Sequence, residues 1–460
     1  MSAVDTAPHP PVEPGAVDCP AVAVPSPPYE IAPVVDATRG PRRDGTRRRR
    51  LVASARRHRA RTAAGALIAV VMISGGVSFG AKLATPGNET AGEKSVEWLR
   101  DNHGGALVNF VENQWYTRHA PAEGGAPRPI DPPPPPATAP AGSDAPDHLP
   151  PPNPVTSPAR DAVAGEGQWT PIGPTVGGVT GLYTTQLRPD AVHTSFLELA
   201  VWMDPKIVRF RLHPGVELPG GSWTTPPYVP DPGGDQLVAA FNGGFRMQDA
   251  GGGFYADGKA APPLRNGDAT LVIDQNGVAD VVQWGRDRSL DSNVLSARQN
   301  LALIVDGGRP AGGLDENPGD KWGATVGNKV FVWRSGVGVT ATGALVYVGG
   351  PSLSARSLAD TLVRVGAVRA MELDSNHDWV SFNTYQTQTS PVTGTKLLPE
   401  MVKPGDRYLA TDSRDFVAVA LRPYPVVPGS SPNSAQGPGP AASPASRPPP
   451  TQKPRTKHHG

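Results

Sequence analysis

One cysteine, Cys19, serves all 460 residues. A disulfide framework needs pairs and a thiolate metal site needs several ligands, so both are excluded, as is thiol chemistry in any domain beyond residue 19. Net charge is nearly absent too, at +1. That balance hides an asymmetry. Residues 39–61 hold eleven Arg against one acid, Asp44, a net of +10, so the remainder sums to −9. Such a block fits nucleic acid, but its neighbour points to a membrane instead. Residues 63–81 carry no charge and are long enough to cross a bilayer core. Basic residues on the amino-terminal flank keep that side in the cytoplasm. No apolar partner segment lies nearby to make residues 63–81 a core helix. A secretory cleavage site is missing as well, because Lys82 and Phe79 stand at the −3 positions of the obvious candidates. The chain reads as single-pass, with a disordered basic cytoplasmic tail over 1–62, a signal anchor over 63–81 and its main domain outside the cytoplasm.

What is abundant is proline and glycine, 55 and 53 residues, many of them in the first 165 and last 35 positions. Sequence of that kind buries too little apolar surface to offset its ordering entropy, so the ends are not expected to be globular. Residues 82–119 read as a membrane-proximal helical segment, with Val96 and Leu99 in one half and Leu107, Phe110, Val111 and Trp115 in the other. Residues 120–164, with Pro132 to Pro136 in a row, read as an extended spacer that holds a domain away from the membrane. Residues 426–460 repeat that composition. The ordinary composition of residues 165–425 is enough for one substantial core.

Within that core, strand–helix–strand units are scarce. Short apolar strands are expected at 196–202, 206–212, 237–241, 270–274, 278–284, 300–305, 344–348, 368–374 and 416–421, and Asn276-Gly277 marks a hairpin between two of them. One helix is expected after Ser354 or Ser357, with Leu358, Leu362 and Val365 on one face and Gly366 at its end. The fold class is therefore α+β: a mixed or antiparallel sheet core with a few covering helices, preceded by one transmembrane helix.

Chemistry concentrates in Glu372-Leu373-Asp374-Ser375-Asn376-His377-Asp378-Trp379. Strand side chains alternate, so Glu372 and Asp374 are expected to point the same way at a strand's carboxyl end. A solvated charged turn accounts for the same octet. Asn242-Gly243-Gly244-Phe245 follows an apolar strand and can bring backbone N–H groups to a ligand oxygen. Gly253-Phe254 with Asp257-Gly258-Lys259, Asp306-Gly307-Gly308-Arg309, and Arg334-Ser335-Gly336-Val337-Gly338 read as further glycine-rich turns, together suggesting a polar cleft.

In this order the motifs resemble the phosphodiester glycosidase family. The counterparts are Asn242 to Phe245, Asp306-Gly307, Arg334 to Gly338, Val365-Gly366-Ala367 and Leu373-Asp374, spanning roughly residues 190–422. The chain departs from that pattern where Ser375-Asn376-His377-Asp378 replaces a triple glycine and serine, and where Gly349-Gly350 stands in place of an Asp-Gly.

The resemblance implies hydrolysis of a sugar phosphodiester. The leaving phosphate ester is already stable as an anion, so the site needs a cation and donors for the phosphate and a carboxylate at the anomeric carbon. Arg334 is the expected phosphate clamp, Asp374 or Glu372 the carboxylate, and His377 a proton shuttle or phosphate donor. Asn242, Gly243, Gly244, Phe245, Asp306 and Trp379 are the expected substrate contacts, Trp379 by stacking on a sugar ring. No cofactor is required. Asp374, Asn376 and Asp378 alternate as in calcium loops, which leaves calcium open, although Trp379 prevents an EF-hand. The reading is a membrane-anchored hydrolase of cell-envelope glycans, with no nucleic-acid partner. The alternative is a non-catalytic module that binds envelope glycans or phosphopolymers.

Overall fold

The computed structural model describes residues 45–118, 121–131, 145–317, 321–323, 330–387 and 390–423. Cys19, Pro132 to Pro136 and the carboxyl-terminal Pro-rich tail lie outside the described residues. The chain divides into two units, Met1–Ser74 and Gly75–Gly460.

Helix α1 (Gly45–Ala84) begins well before residue 63, since the Arg block is helical from Gly45 onward. Its Arg61–Ala84 portion is long and apolar enough to cross a membrane. Helices α2 (Ala91–Leu99) and α3 (Gly105–Arg118) follow, separated by a kink at Asn102 and His103. Thr90 caps α2 through a reciprocal bond pattern with Glu93.

The strands are β1 (Thr170–Val176), β2 (Val179–Leu187), β3 (Glu198–Met203), β4 (Val208–His213), β5 (Leu237–Asn242), β6 (Phe254–Ala256), β7 (Lys259–Ala260), β8 (Ala269–Asp274) and β9 (Ala279–Gln283). After them come β10 (Val294–Gln299), β11 (Leu303–Asp306), β12 (Arg309–Pro310), β13 (Val332–Thr340), β14 (Leu345–Leu353), β15 (Ala367–Glu372), β16 (Phe382–Gln386), β17 (Thr393–Lys396) and β18 (Phe416–Leu421). A four-residue helix α4 (Met247–Ala250) follows β5, and α5 (Ala355–Arg364) follows β14.

These strands form one eight-stranded sheet, β1-β2-β3-β14-β13-β15-β11-β12, and two five-stranded sheets, β7-β6-β10-β8-β9 and β17-β16-β5-β18-β4. Every pairing between the named strands is antiparallel. The large sheet buries both faces. One face, with Ala200, Trp202, Val346, Val348 and Ala370, meets Leu358 and Leu362 of α5. The other, with Val201, Met203, Val337, Tyr347 and Met371, packs on the small sheets through Phe210, Phe241, Leu271, Ile273, Phe382 and Val419.

Ser354 caps α5 with Ser357 in a reciprocal box, and Gly366 leaves the helix at φ +99°. Gly277 turns the β8–β9 hairpin at φ +71°. The Arg334–Gly338 stretch, expected as a glycine turn, is instead the heart of β13. Its glycines are there for packing: a Cβ on Gly336 would sit 3.0 Å from Leu362 Cδ1 and from Met371 O. Residues 145–164 also differ from an extended spacer. Leu149 N donates to Asp204 Oδ2 at 2.7 Å, Val155 is buried, and Glu166 binds Arg188 beneath them at 2.9 Å.

Candidate active site

The ends of β5, β13, β15 and β18 meet around Asp374. Ser335 in β13 is bonded to the chain just after β15 through its backbone, with Ser335 N donating to Asp374 O at 2.8 Å and Leu373 N to Ser335 O at 2.7 Å. Asp374 N donates to Ser335 Oγ at 3.2 Å, so the strand ladder fixes the residue's backbone. The residue is buried, with Asn376 N donating to Oδ1 at 2.9 Å and Arg414 Nη1 to Oδ2 at 3.4 Å. Burial pushes the carboxyl up to about 6, against the opposing pull of Arg414 and of the Asn376 N–H.

Arg414 belongs to Asp412-Ser413-Arg414-Asp415, the turn leading into β18. Asp412 organises it by accepting Arg414 N at 3.0 Å and Arg407 Nη2 at 3.0 Å. The Arg414 guanidinium lies 3.7 Å above the Trp379 ring centroid, with Lys403 Nζ and the Arg407 guanidinium at 4.9 and 5.1 Å. Three cations therefore gather on one indole.

Asp415, beside Arg414, receives Arg298 Nε at 3.0 Å, while its Oδ1 has no partner. Asn300 donates to Glu372 O and Leu373 O at 2.6 and 2.9 Å and accepts from Phe245 N at 3.2 Å, stitching the first motif to the last. Neither Arg414, Asp415, Arg298 nor Asn300 was among the sequence candidates. The signal for the first two was available, as a charged tetrad immediately ahead of the apolar run 416–421. Arg298 and Asn300 carried no such signal, because nothing local distinguishes a buried arginine at a strand end from an exposed one.

The expected site residues separate into groups. Arg334, expected as a phosphate clamp, is buried and committed: its Nε donates to Leu353 O at 3.0 Å and its Nη1 pairs with Glu372. Glu372 is wholly buried there; burial pushes its carboxyl up and Arg334 opposes that. Glu372 and Asp374 thus serve different cations. Asn242 uses all its amide atoms internally, donating to Ser335 Oγ at 3.0 Å and accepting from Tyr347 OH at 3.0 Å and Ser381 N at 3.1 Å. Gly243 and Gly244 are needed for closeness, since a Cβ on Gly243 would lie 2.1 Å from Asp415 Oδ2 and one on Gly244 2.9 Å from Asn300 Oδ1. Phe245 is buried beside them. Trp379 is buried beneath its cations, so its face is not open to a sugar. His377 is half-buried and lies 3.5 Å from Asp378 Oδ1. Asp306 stands apart: it pairs with Arg369 near the start of β15, the opposite end from Asp374, and binds Arg286 on the surface. The Asp257 turn is also elsewhere, accepting Thr225 N at 3.0 Å.

The residues of the expected calcium set carry other bonds in this structure. Asp374 Oδ1 and Asn376 Oδ1 each accept the backbone N–H two residues on, at 2.9 Å, and Arg414 already neutralises Asp374. Glu89, Glu97 and Glu217 do bring carboxylate oxygens together. Lys82 and Arg414 supply the positive charge there, with Lys82 Nζ 3.1 Å from Glu97 Oε2 and Arg414 Nη2 2.7 Å from Glu97 Oε1. Elsewhere a cavity of about 450 Å³ opens beside β4, lined by Arg209, Arg211, His213, Tyr255, Leu295 and Ala418 among others. None of the residues around Asp374 lines it.

No family model matches the chain, and no curated protein sequence matches it. Among solved structures, the catalytic domain of zebrafish N-acetylglucosamine-1-phosphodiester alpha-N-acetylglucosaminidase, auto-inhibited by its pro-peptide, is 15% identical over 53% of this chain and 82% of that chain, at a TM-score of 0.34. A hypothetical protein from Synechocystis is 12% identical over 53% and 62%, at a TM-score of 0.31. A putative exported protein from Burkholderia pseudomallei is 12% identical over 51% and 75%, at a TM-score of 0.26. These are weak resemblances at the level of fold.

Proposed function

We propose that the chain is a hydrolase of a sugar phosphodiester, anchored in a membrane by the apolar half of α1, with its domain on the extracytoplasmic side and envelope glycans as its substrates. The observation that carries this reading is the pairing of Asp374 with Arg414. A buried carboxyl raised to about 6 is poised to gain and lose a proton near neutrality, and a guanidinium 3.4 Å away can hold a phosphate oxygen.

In this mechanism the phosphate of the substrate displaces Arg414 from Asp374 and binds the guanidinium. The Asp374 carboxylate accepts a proton from water as that water attacks the anomeric carbon. The bond between that carbon and the phosphate oxygen breaks, and its electron pair leaves with a phosphate monoester that needs no protonation. Arg414 takes the clamp role expected of Arg334, and the Arg334–Glu372 pair holds the strands behind the site. The Arg298–Asp415 pair adds a fixed dipole beside it. His377 has no assigned step in this mechanism.

The test is turnover of a hexose-1-phosphate methyl diester by the full chain in detergent micelles, followed by phosphorus NMR. Conversion of the diester to methyl phosphate, lost in Asp374→Asn, supports the reading. One observation favours the binding-module alternative: the cluster of cations on Trp379 needs no acid–base group to hold an anion. Retention of the diester without turnover would select it.

A further inference from the structure

Three carboxylates along the membrane-proximal helical segment each meet a cation of the domain. Glu93 Oε2 accepts from Lys403 Nζ at 2.5 Å, Glu97 Oε1 accepts from Arg414 Nη2 at 2.7 Å, and Asp101 Oδ1 lies 3.6 Å from Arg246 Nη1. The three are four residues apart, so a helix repeats them about every 6 Å along one face. Asn88 fixes the start of the row, its Nδ2 donating to Arg407 O at 2.8 Å and its O accepting from Lys403 Nζ at 3.3 Å.

The cations have supports of their own. Lys403, Arg407 and Arg414 rest on Trp379, Arg407 is held by Asp412, and Arg246 Nε donates to Asp249 at 2.7 Å. The domain itself builds the row of positive charge, and the helical segment presents matching negative charge to it. Arg414 belongs to both, touching Glu97 with one nitrogen and Asp374 with another.

We infer that Arg246, Arg414 and Lys403 form a track for a polyanion, a phosphodiester polymer with one negative charge per repeat, and that Glu93, Glu97 and Asp101 are the chain's own occupants of that track. The inference rests on the hydrolase reading for the chemistry at Asp374, but not for binding. A polymer engages several cations at once and displaces the acidic face, whereas a single phosphate meets three intact ion pairs. The substrate class narrows accordingly, from any sugar phosphodiester to a polymeric one.

The test uses the full chain in detergent micelles and fluorescein-labelled inorganic polyphosphate, which has no glycosidic bond and reports binding alone. In the combined variant Glu93→Gln, Glu97→Gln, Asp101→Asn, the affinity for polyphosphate is expected to rise about tenfold, because displacement no longer breaks ion pairs. Inorganic phosphate is expected to bind weakly to both proteins. Adding Lys403→Ala and Arg246→Ala should cancel the gain. Glu97→Gln alone should give part of it, and decides the matter if the combined variant melts early. An unchanged affinity in a folded variant overturns the proposal, as does a gain that survives loss of Lys403 and Arg246. Polyphosphate binding without hydrolysis of any diester would remove the hydrolase reading and leave the track. Hydrolysis of a small diester without polyphosphate binding would do the reverse.

Discussion

Arg414 Nη1 lies 3.4 Å from Asp374 Oδ2, where Asp374 is buried and the guanidinium rests on an indole. Each group sets the other's state. Burial favours the neutral acid, and the cation favours the carboxylate.

The first prediction concerns pH. Asp374 is raised from 3.8 to about 6 in the fold, so the folded chain holds a proton that the unfolded chain has released across that window. The associated stability is present below the unfolded value and is lost as pH rises through the folded one. Asp374→Asn removes the titration. Its melting temperature should therefore fall less than that of the native protein between pH 4 and 7 (roughly the window set by linkage), which differential scanning calorimetry would measure. An identical pH slope in both proteins would count against a raised pKa.

A second follows for Arg414. Replacing it with Ala removes the attraction that opposes burial, so the acidic limb of kcat/KM should move to higher pH, and kcat/KM should drop about a hundredfold. Arg414→Lys should recover part of the affinity but not the geometry. A pH–rate profile with an unmoved acidic limb would separate the two residues.

The Arg334–Glu372 pair gives a stability prediction. Removing one partner leaves a buried charge unpaired, so Arg334→Ala or Glu372→Gln should cost about 3–5 kcal/mol by denaturant unfolding, the range for broken buried pairs. Replacing both with apolar residues of similar volume should cost less. If Arg334→Ala instead folds normally and loses only phosphate affinity, Arg334 is the clamp.

Gly243 tests the first motif. Its absent Cβ would lie 2.1 Å from the Asp415 carboxylate, so Gly243→Ala must move either the turn or Asp415. Overpacking of this kind costs about 1–3 kcal/mol, and turnover should fall with it. Gly258→Ala is not an equivalent control, because Gly258 has open space but φ +74°.

The parts of the fold that could be read locally were read correctly from local chemistry. Ser354, Ser357 and Gly366 bound a helix by capping geometry, and Asn276-Gly277 turns a hairpin, because each acts on its own neighbours. The Arg334–Gly338 strand is not legible locally, because Gly336 and Gly338 look like turn residues until α5 and β15 are packed on them. The same limit applies to the site. Asp374 stood out in its octet, but the partner that defines it lies forty residues on in sequence and Glu97 much farther back. Carboxylates are visible in a sequence, whereas which cation each one meets depends on how the sheets close.

The central claim is tested most directly by following oxygen. Hydrolysis of a hexose-1-phosphate methyl diester in ¹⁸O-water, by the native chain and by the variant with Glu93, Glu97 and Asp101 neutralised, is analysed by mass spectrometry of both products. Attack at the anomeric carbon assisted by Asp374 predicts the label in the sugar hydroxyl, none in methyl phosphate, and no labelled product from Asp374→Asn. Label in the phosphate, turnover that survives Asp374→Asn, or no turnover by either protein would contradict it.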